Sequence, residues 1–248
     1  MANISEKYSK LREQGFAVVE DLFSDDLLHR MKSDYLKLAH EAETIRSQSN
    51  EVERIFYENN QENRSLYWKH ENKLILQAGE GRYDLYKGFL EGCFAEEEIQ
   101  KNSILHDLMT QLMVRDFTHY SGFIQSFPGS QAQYWHRDTH TLSNENTDGS
   151  QVIKIDDFYF TVLVPILSGF TVENGATEIM FGSHQLASHD FDQCDVKQVT
   201  VPLGGALVFN GKLNHRGSAN QSEQERPALY MVFHKKWYND QFRQGVDD

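Results

Sequence analysis

Between Gly122 and Trp237 the chain breaks into short apolar runs, GFIQSF, QAQYWH, DFYFTVLVPI, ATEIMF, KQVTVPL, GALVFN and ALYMVFHKKW, separated by Gly, Pro, Asn and Asp. Several short strands at such spacing favour an antiparallel sandwich or barrel. Ahead of them GFAVVEDLF alternates like a strand. SDDLLHRMKSDYLKLAHEAETIR then sets Leu27, Leu28, Met31, Tyr35, Leu38 and Ala42 on one helical face, with Ser24 as N-cap and Asp25 and Asp26 favourable in the first turn. Helical patterning returns from Ser103 to Tyr120. Ser47 to Arg64, rich in Asn, Gln and Glu, reads as an excursion over the surface, either a loop or part of a lid. The predicted fold class is mainly β with α, in one domain of 248 residues: a mostly helical part over 1–121, a jelly-roll core over 122–238 and a tail over 239–248.

A net charge of −13 argues against a nucleic-acid or membrane partner, because both carry negative charge, and leaves a neutral or cationic small-molecule substrate as the expected one. No run approaches the roughly 18 apolar residues of a membrane span, and the opening MANISEKYSKLREQG has no signal-peptide core, so a cytoplasmic protein is expected. Cys93 and Cys194 stand far apart without a CxxC pattern, which suggests neither a disulfide nor a thiolate zinc site. Nothing in the sequence specifies an oligomeric state.

The chemistry concentrates in QYWHRDTH, Gln133 to His140. On a strand, residues two apart leave the same face, so His136 and Asp138 emerge together while Trp135 and Arg137 point away. One more histidine would complete the two-His-one-carboxylate set that holds non-haem iron and leaves positions open for oxygen and substrate. His215, after an apolar strand and a Gly211 turn, is better placed than His184, which flanks a rim-like turn. Arg226 strengthens the choice of His215. It follows that residue by eleven positions, at the start of the next strand, where a guanidinium can clamp a carboxylate in bidentate fashion.

HRD at 136–138, NGATEIMFGSH at 174–184 and HRGSANQSEQERPAL at 215–229, in that order, resemble the phytanoyl-CoA dioxygenase family. The resemblance runs over roughly 122–236 and implies a double-stranded β-helix, a jelly-roll or cupin-like barrel flanked by N-terminal helices. It implies Fe(II) held by His136, Asp138 and His215, with 2-oxoglutarate as co-substrate, its distal carboxylate on Arg226, and O2. Succinate is then the co-product. Asp138 favours hydroxylation over chlorination, since related halogenases carry a small residue there. One departure stands out: many relatives place Ser two positions after the distal histidine as a co-substrate contact, and this chain has Gly217.

Further candidates for 2-oxoglutarate contacts are Tyr134, taken to share the inward face of His136, and Gln125 on the preceding strand. Arg82, in AGEGRYDLY, has two readings: a wall of the substrate pocket, or, more commonly for such a residue, an ion pair with Asp84 or a nearby glutamate. His140 is expected at the rim near substrate. Gly175 and Gly182 suit turns that need positive φ. The leading expectation is hydroxylation of a secondary-metabolite-type substrate; desaturation, epimerisation, cyclisation or acyl-CoA hydroxylation use the same cofactors. A catalytically silent jelly roll that only binds a ligand is the rival of a different class.

Overall fold

Apolar residues at every second position draw the strands into two antiparallel sheets, and residues at helical spacing lay helices against one of them. The computed structural model describes residues 4–58, 61–139, 156–186 and 188–239. In chain order these hold α1 (Ile4–Gln14), β1 (Phe16–Val19), α2 (Asp25–Gln48), β2 (Val52–Glu58), β3 (Gln61–His70), β4 (Lys73–Gly79) and β5 (Arg82–Lys87). There follow α3 (Glu97–Gln100), α4 (Ser103–Met113), β6 (Phe117–Ser126), β7 (Tyr159–Pro165), β8 (Thr177–Met180), β9 (Val196–Gln198), β10 (Ala206–Asn210), β11 (His215–Gly217) and β12 (Arg226–Lys235). The larger sheet runs β1-β10-β7-β12-β6-β5-β4-β3-β2 and the smaller β11-β8-β9.

Alternation along β12 divides the molecule into layers. Leu229, Met231 and Phe233 turn toward the helices and join Leu27, Met31, Tyr35, Leu108 and Met109 in the main core. Ala228 turns the other way, into a second core that takes Leu207 and Phe209 from the larger sheet and Ile179 from the smaller. Each fully buried Leu, Ile or Phe in these cores contributes roughly 1.5–3 kcal/mol. The expected α2 forms as predicted: the Ser24 hydroxyl accepts from the Leu27 amide at 3.3 Å, and Leu27, Met31, Tyr35, Leu38 and Ala42 are buried. Gly175 and Gly182 adopt φ of 84° and 76°, as their turns require.

Four expectations change. The helix read from Ser103 to Tyr120 ends at Met113, and Phe117 already begins β6. The segment from Ser47 to Arg64 is not a loop: α2 continues to Gln48, and β2 and β3 pair antiparallel from Val52↔Tyr67 to Glu58↔Gln61. Together with β4 and β5 they extend the larger sheet, so the part before residue 121 is less helical than expected and shares a sheet with the jelly-roll strands. The polar composition hid these strands, because the outer strands of a sheet need not alternate into a core. QAQYWH is likewise not a strand; only His136 forms a bridge, to His215.

Candidate active site

Between the sheets lies a cavity of about 150 Å³ whose lining includes Arg82, His136, Asp138, Thr161, His215 and Arg226. The antiparallel bridge of His136 and His215, with amide-to-carbonyl bonds of 3.0 and 2.9 Å, joins two segments far apart in the chain. Asp138 is fixed next to them by its amide, which donates to the Gly211 carbonyl at 2.9 Å. One ligand atom from each of His136, Asp138 and His215 lies within 4.8 Å of the others.

Both imidazoles are oriented in the same manner. His136 Nδ1 lies 2.9 Å from the Tyr134 carbonyl, and His215 Nδ1 lies 2.9 Å from the Leu213 carbonyl. A carbonyl only accepts, so Nδ1 carries the proton and Nε2 keeps its lone pair. Both Nε2 atoms face Asp138 Oδ1, at 3.8 and 3.5 Å. Burial pushes His215 down to about 4, against the opposing pull of Asp138, so it is neutral at pH 7. Two imidazole nitrogens and a carboxylate oxygen converging, each backed by an outer hydrogen bond, fit a divalent transition metal. The Thr161 hydroxyl donates to Asp138 Oδ2 at 2.5 Å and leaves Oδ1 for the metal.

Arg226 is 3% exposed, and its Nη2 donates to the Ser126 hydroxyl at 3.0 Å. Burial, reinforced by the charge of Arg82, pushes it down to about 9. Arg82 is 1% exposed and donates to the same Ser126 hydroxyl; burial pushes it to about 10. Among the described residues no carboxylate pairs with either guanidinium, so the ion pair expected for Arg82 is absent, and Arg82 lines the cavity.

Two candidates fall elsewhere. Gln125 faces away from the cavity because its neighbour Ile124 faces in; its amide donates to Tyr35 and Glu225 at 3.0 and 3.1 Å on the helical side. The Tyr134 side chain is 94% exposed, since strand alternation does not extend to a segment that is not a strand; only its carbonyl serves the site. His140 lies outside the described residues. His184 is buried against α1, with Nε2 3.2 Å from the Arg12 carbonyl. Trp135 and Arg137 point away as predicted, Trp135 under the Arg216 guanidinium and Arg137 onto the Ser183 and Leu186 carbonyls. Sequence reasoning missed Thr161 and Gln133, both in the lining. Gln133 pairs with Gly217 through its amide and its side-chain oxygen, at 2.9 and 3.0 Å.

The chain is similar to dioxygenase FrzG from Cladobotryum sp, 29% identical over 151 residues, or 55% of this chain and 48% of that one. It spans about half the length of the curated relatives it matches. Its fold is shared with AviO1 from Streptomyces viridochromogenes Tue57, at a TM-score of 0.64 and 16% identity over 95% of this chain and 96% of that one. The fold is also shared with the epimerase SnoN from nogalamycin biosynthesis, in complex with Fe3+, alpha ketoglutarate and nogalamycin RO. That likeness has a TM-score of 0.63 and 12% identity over 94% and 83% of the two chains. The family model of phytanoyl-CoA dioxygenase (PhyH) matches residues 11–228, from the last turn of α1 into β12, and the chain belongs to that family.

Proposed function

We propose that this protein is an Fe(II)/2-oxoglutarate-dependent dioxygenase, a single oxygenase domain that hydroxylates a small molecule of secondary-metabolite type. The observation that carries the reading is one cavity holding both a convergent His136, Asp138 and His215 cluster and a buried arginine, Arg226, without a carboxylate partner among the described residues. His136, Asp138 and His215 are assigned to the iron and Arg226 to the distal carboxylate of 2-oxoglutarate. Bound iron supplies activation of O2 coupled to decarboxylation of the co-substrate to succinate. The chain's own share is positional. The Tyr134 and Leu213 carbonyls fix the imidazole tautomers, Thr161 orients Asp138, and Tyr159, Phe209 and Val232 give the cavity apolar walls that limit water.

The neutral or cationic substrate expected from a net charge of −13 weighs against an acyl-CoA, whose pyrophosphate wants a basic groove. Epimerisation is the second outcome, favoured by the fold shared with SnoN; desaturation and cyclisation draw on the same residues. A cytoplasmic site of action is supported by the two free thiols, Cys93 and Cys194, which suit a reducing compartment. Among the described residues no helix is long and apolar enough to cross a membrane.

Anaerobic addition of Fe(II) and 2-oxoglutarate should give a weak visible charge-transfer band that His215→Ala or Arg226→Ala abolishes. Admission of O2 should then yield succinate. No band and no oxygen-dependent succinate would sink the oxygenase reading and leave a ligand-binding jelly roll.

A further inference from the structure

The cavity holds a second buried guanidinium that the assignments above leave unused. β5, β6 and β12 are neighbours, and their register sets Arg82, Ser126 and Arg226 abreast: Ser126 is the partner of Arg82 on one side and of Arg226 on the other. Residues paired across an antiparallel sheet project from the same face, so both arginines enter the cavity flanking one serine. Arg82 Nη1 and Arg226 Nη2 donate to the same Ser126 oxygen. Arg82 Nη2 donates to the carbonyls of Ser218 and Gln131, at 3.0 and 3.4 Å. The Nε atoms of both arginines are buried without a partner.

Two buried like charges on one hydroxyl repel each other, and carbonyl dipoles do not neutralise them. Such an arrangement is stable when an anion occupies it, because an isolated buried charge is costly unless paired. Gly217 adds an independent observation. A Cβ built there would lie 2.8 Å from Arg82 Nη1 and 2.7 Å from Gln133 Oε1. The guanidinium therefore fills the volume that a side chain at 217 would take, two residues from His215. The glycine keeps a slot open for Arg82 beside the cluster of ligand atoms.

We infer that Arg82 is a second anchor of the co-substrate, sharing the distal carboxylate with Arg226, and that Gly217 is the position that admits it. The inference rests on the proposed 2-oxoglutarate dependence. It assigns Arg82 to the co-substrate in place of a role as wall for the oxidised substrate.

The test is calorimetric titration of the anaerobic Fe(II)-loaded protein with 2-oxoglutarate and, separately, with oxalate, which chelates a metal but has no distal carboxylate. Truncating one partner of a buried charge pair costs 2–5 kcal/mol, so Arg82→Gln should weaken 2-oxoglutarate about thirtyfold or more and leave oxalate nearly unchanged. Gly217→Ala should act in the same direction without touching the charge, because the crowded atoms are the ends of flexible side chains that move aside. Arg82→Gln/Gly217→Ala should be no weaker than Arg82→Gln alone, since both act through one group.

An unchanged affinity for 2-oxoglutarate in Arg82→Gln overturns the inference. So does equal weakening of both ligands, which marks a structural wall, and so do additive effects of the two substitutions. Should Arg82→Gln fail to fold, Gly217→Ala alone decides by the same comparison. If wild type binds oxalate and not 2-oxoglutarate, the dioxygenase reading itself falls. If Arg226→Gln abolishes 2-oxoglutarate binding while Arg82→Gln is silent, only the assignment of Arg82 falls.

Discussion

Thr161 shows how a side chain of no chemical distinction can orient a candidate metal ligand. Its hydroxyl bonds Asp138 Oδ2 at 2.5 Å, and Thr161→Val keeps the shape while removing the donor. Outer partners of this kind typically cost ten- to hundredfold in metal affinity when lost, so the variant should bind Fe(II) about ten- to hundredfold more weakly in an anaerobic titration. An unchanged Fe(II) affinity would disconnect Thr161 from the site. The sequence does not mark Thr161 out, because it is one polar residue in the apolar run YFTVLVP. His136, Asp138, His215 and Arg226 were legible because their types and spacing are rare together. Tyr134 misled because alternation was applied where no strand exists, and Gln125 because its place on the strand before the site did not say which face of β6 it takes.

At the scale of elements, one carboxylate helps to tie α1 to the jelly roll. Asp157 receives Arg12 at 2.9 Å, Asn210 at 2.7 Å and Lys212 at 3.2 Å, joining α1, the end of β10 and the turn beyond it to the approach to β7. Burial raises its pKa, yet the charge and hydrogen bond of Lys212, the Asn210 amide and the charge of Arg12 outweigh that and hold it below the usual value. A depressed carboxylate stabilises the fold above its unfolded pKa and loses that contribution as pH falls through the folded one. Asp157→Asn should therefore cost about 1 kcal/mol at neutral pH, Arg12 being half exposed. The difference from wild type should shrink as pH falls through the depressed folded pKa, below the ordinary carboxylate range, in denaturant unfolding. A difference constant with pH would assign the cost to packing. α2 and most jelly-roll strands were legible from their periodicity, QAQYWH excepted, whereas β2 and β3 were not, since their polar text carries no apolar alternation.

At the scale of the whole molecule, charge changes sign between outside and inside. The chain carries −13, while the cavity sets two arginines against one aspartate. On the proposed function, a dianionic co-substrate would approach through repulsion and arrive in attraction. Salt screens the long approach far more than the buried contact, with a Debye length of about 30 Å at 0.01 M and about 8 Å at 0.15 M. The association rate of 2-oxoglutarate, followed by stopped flow, should thus rise over that range; a falling rate would mean that local positive charge steers entry. The row of Arg82, Ser126 and Arg226 exists only because β5, β6 and β12 meet in one alignment, and β4 meets β5 through irregular pairing between Gln77 and Gly79, just ahead of Arg82. Slipping β5 by a single residue would swing Arg82 to the helical side and leave most of the sheet intact. A protein mispaired in that way would pass as folded and yet be deaf to the proposed co-substrate, so on the inferred role of Arg82 accuracy of strand alignment is a condition of recognition as well as of shape.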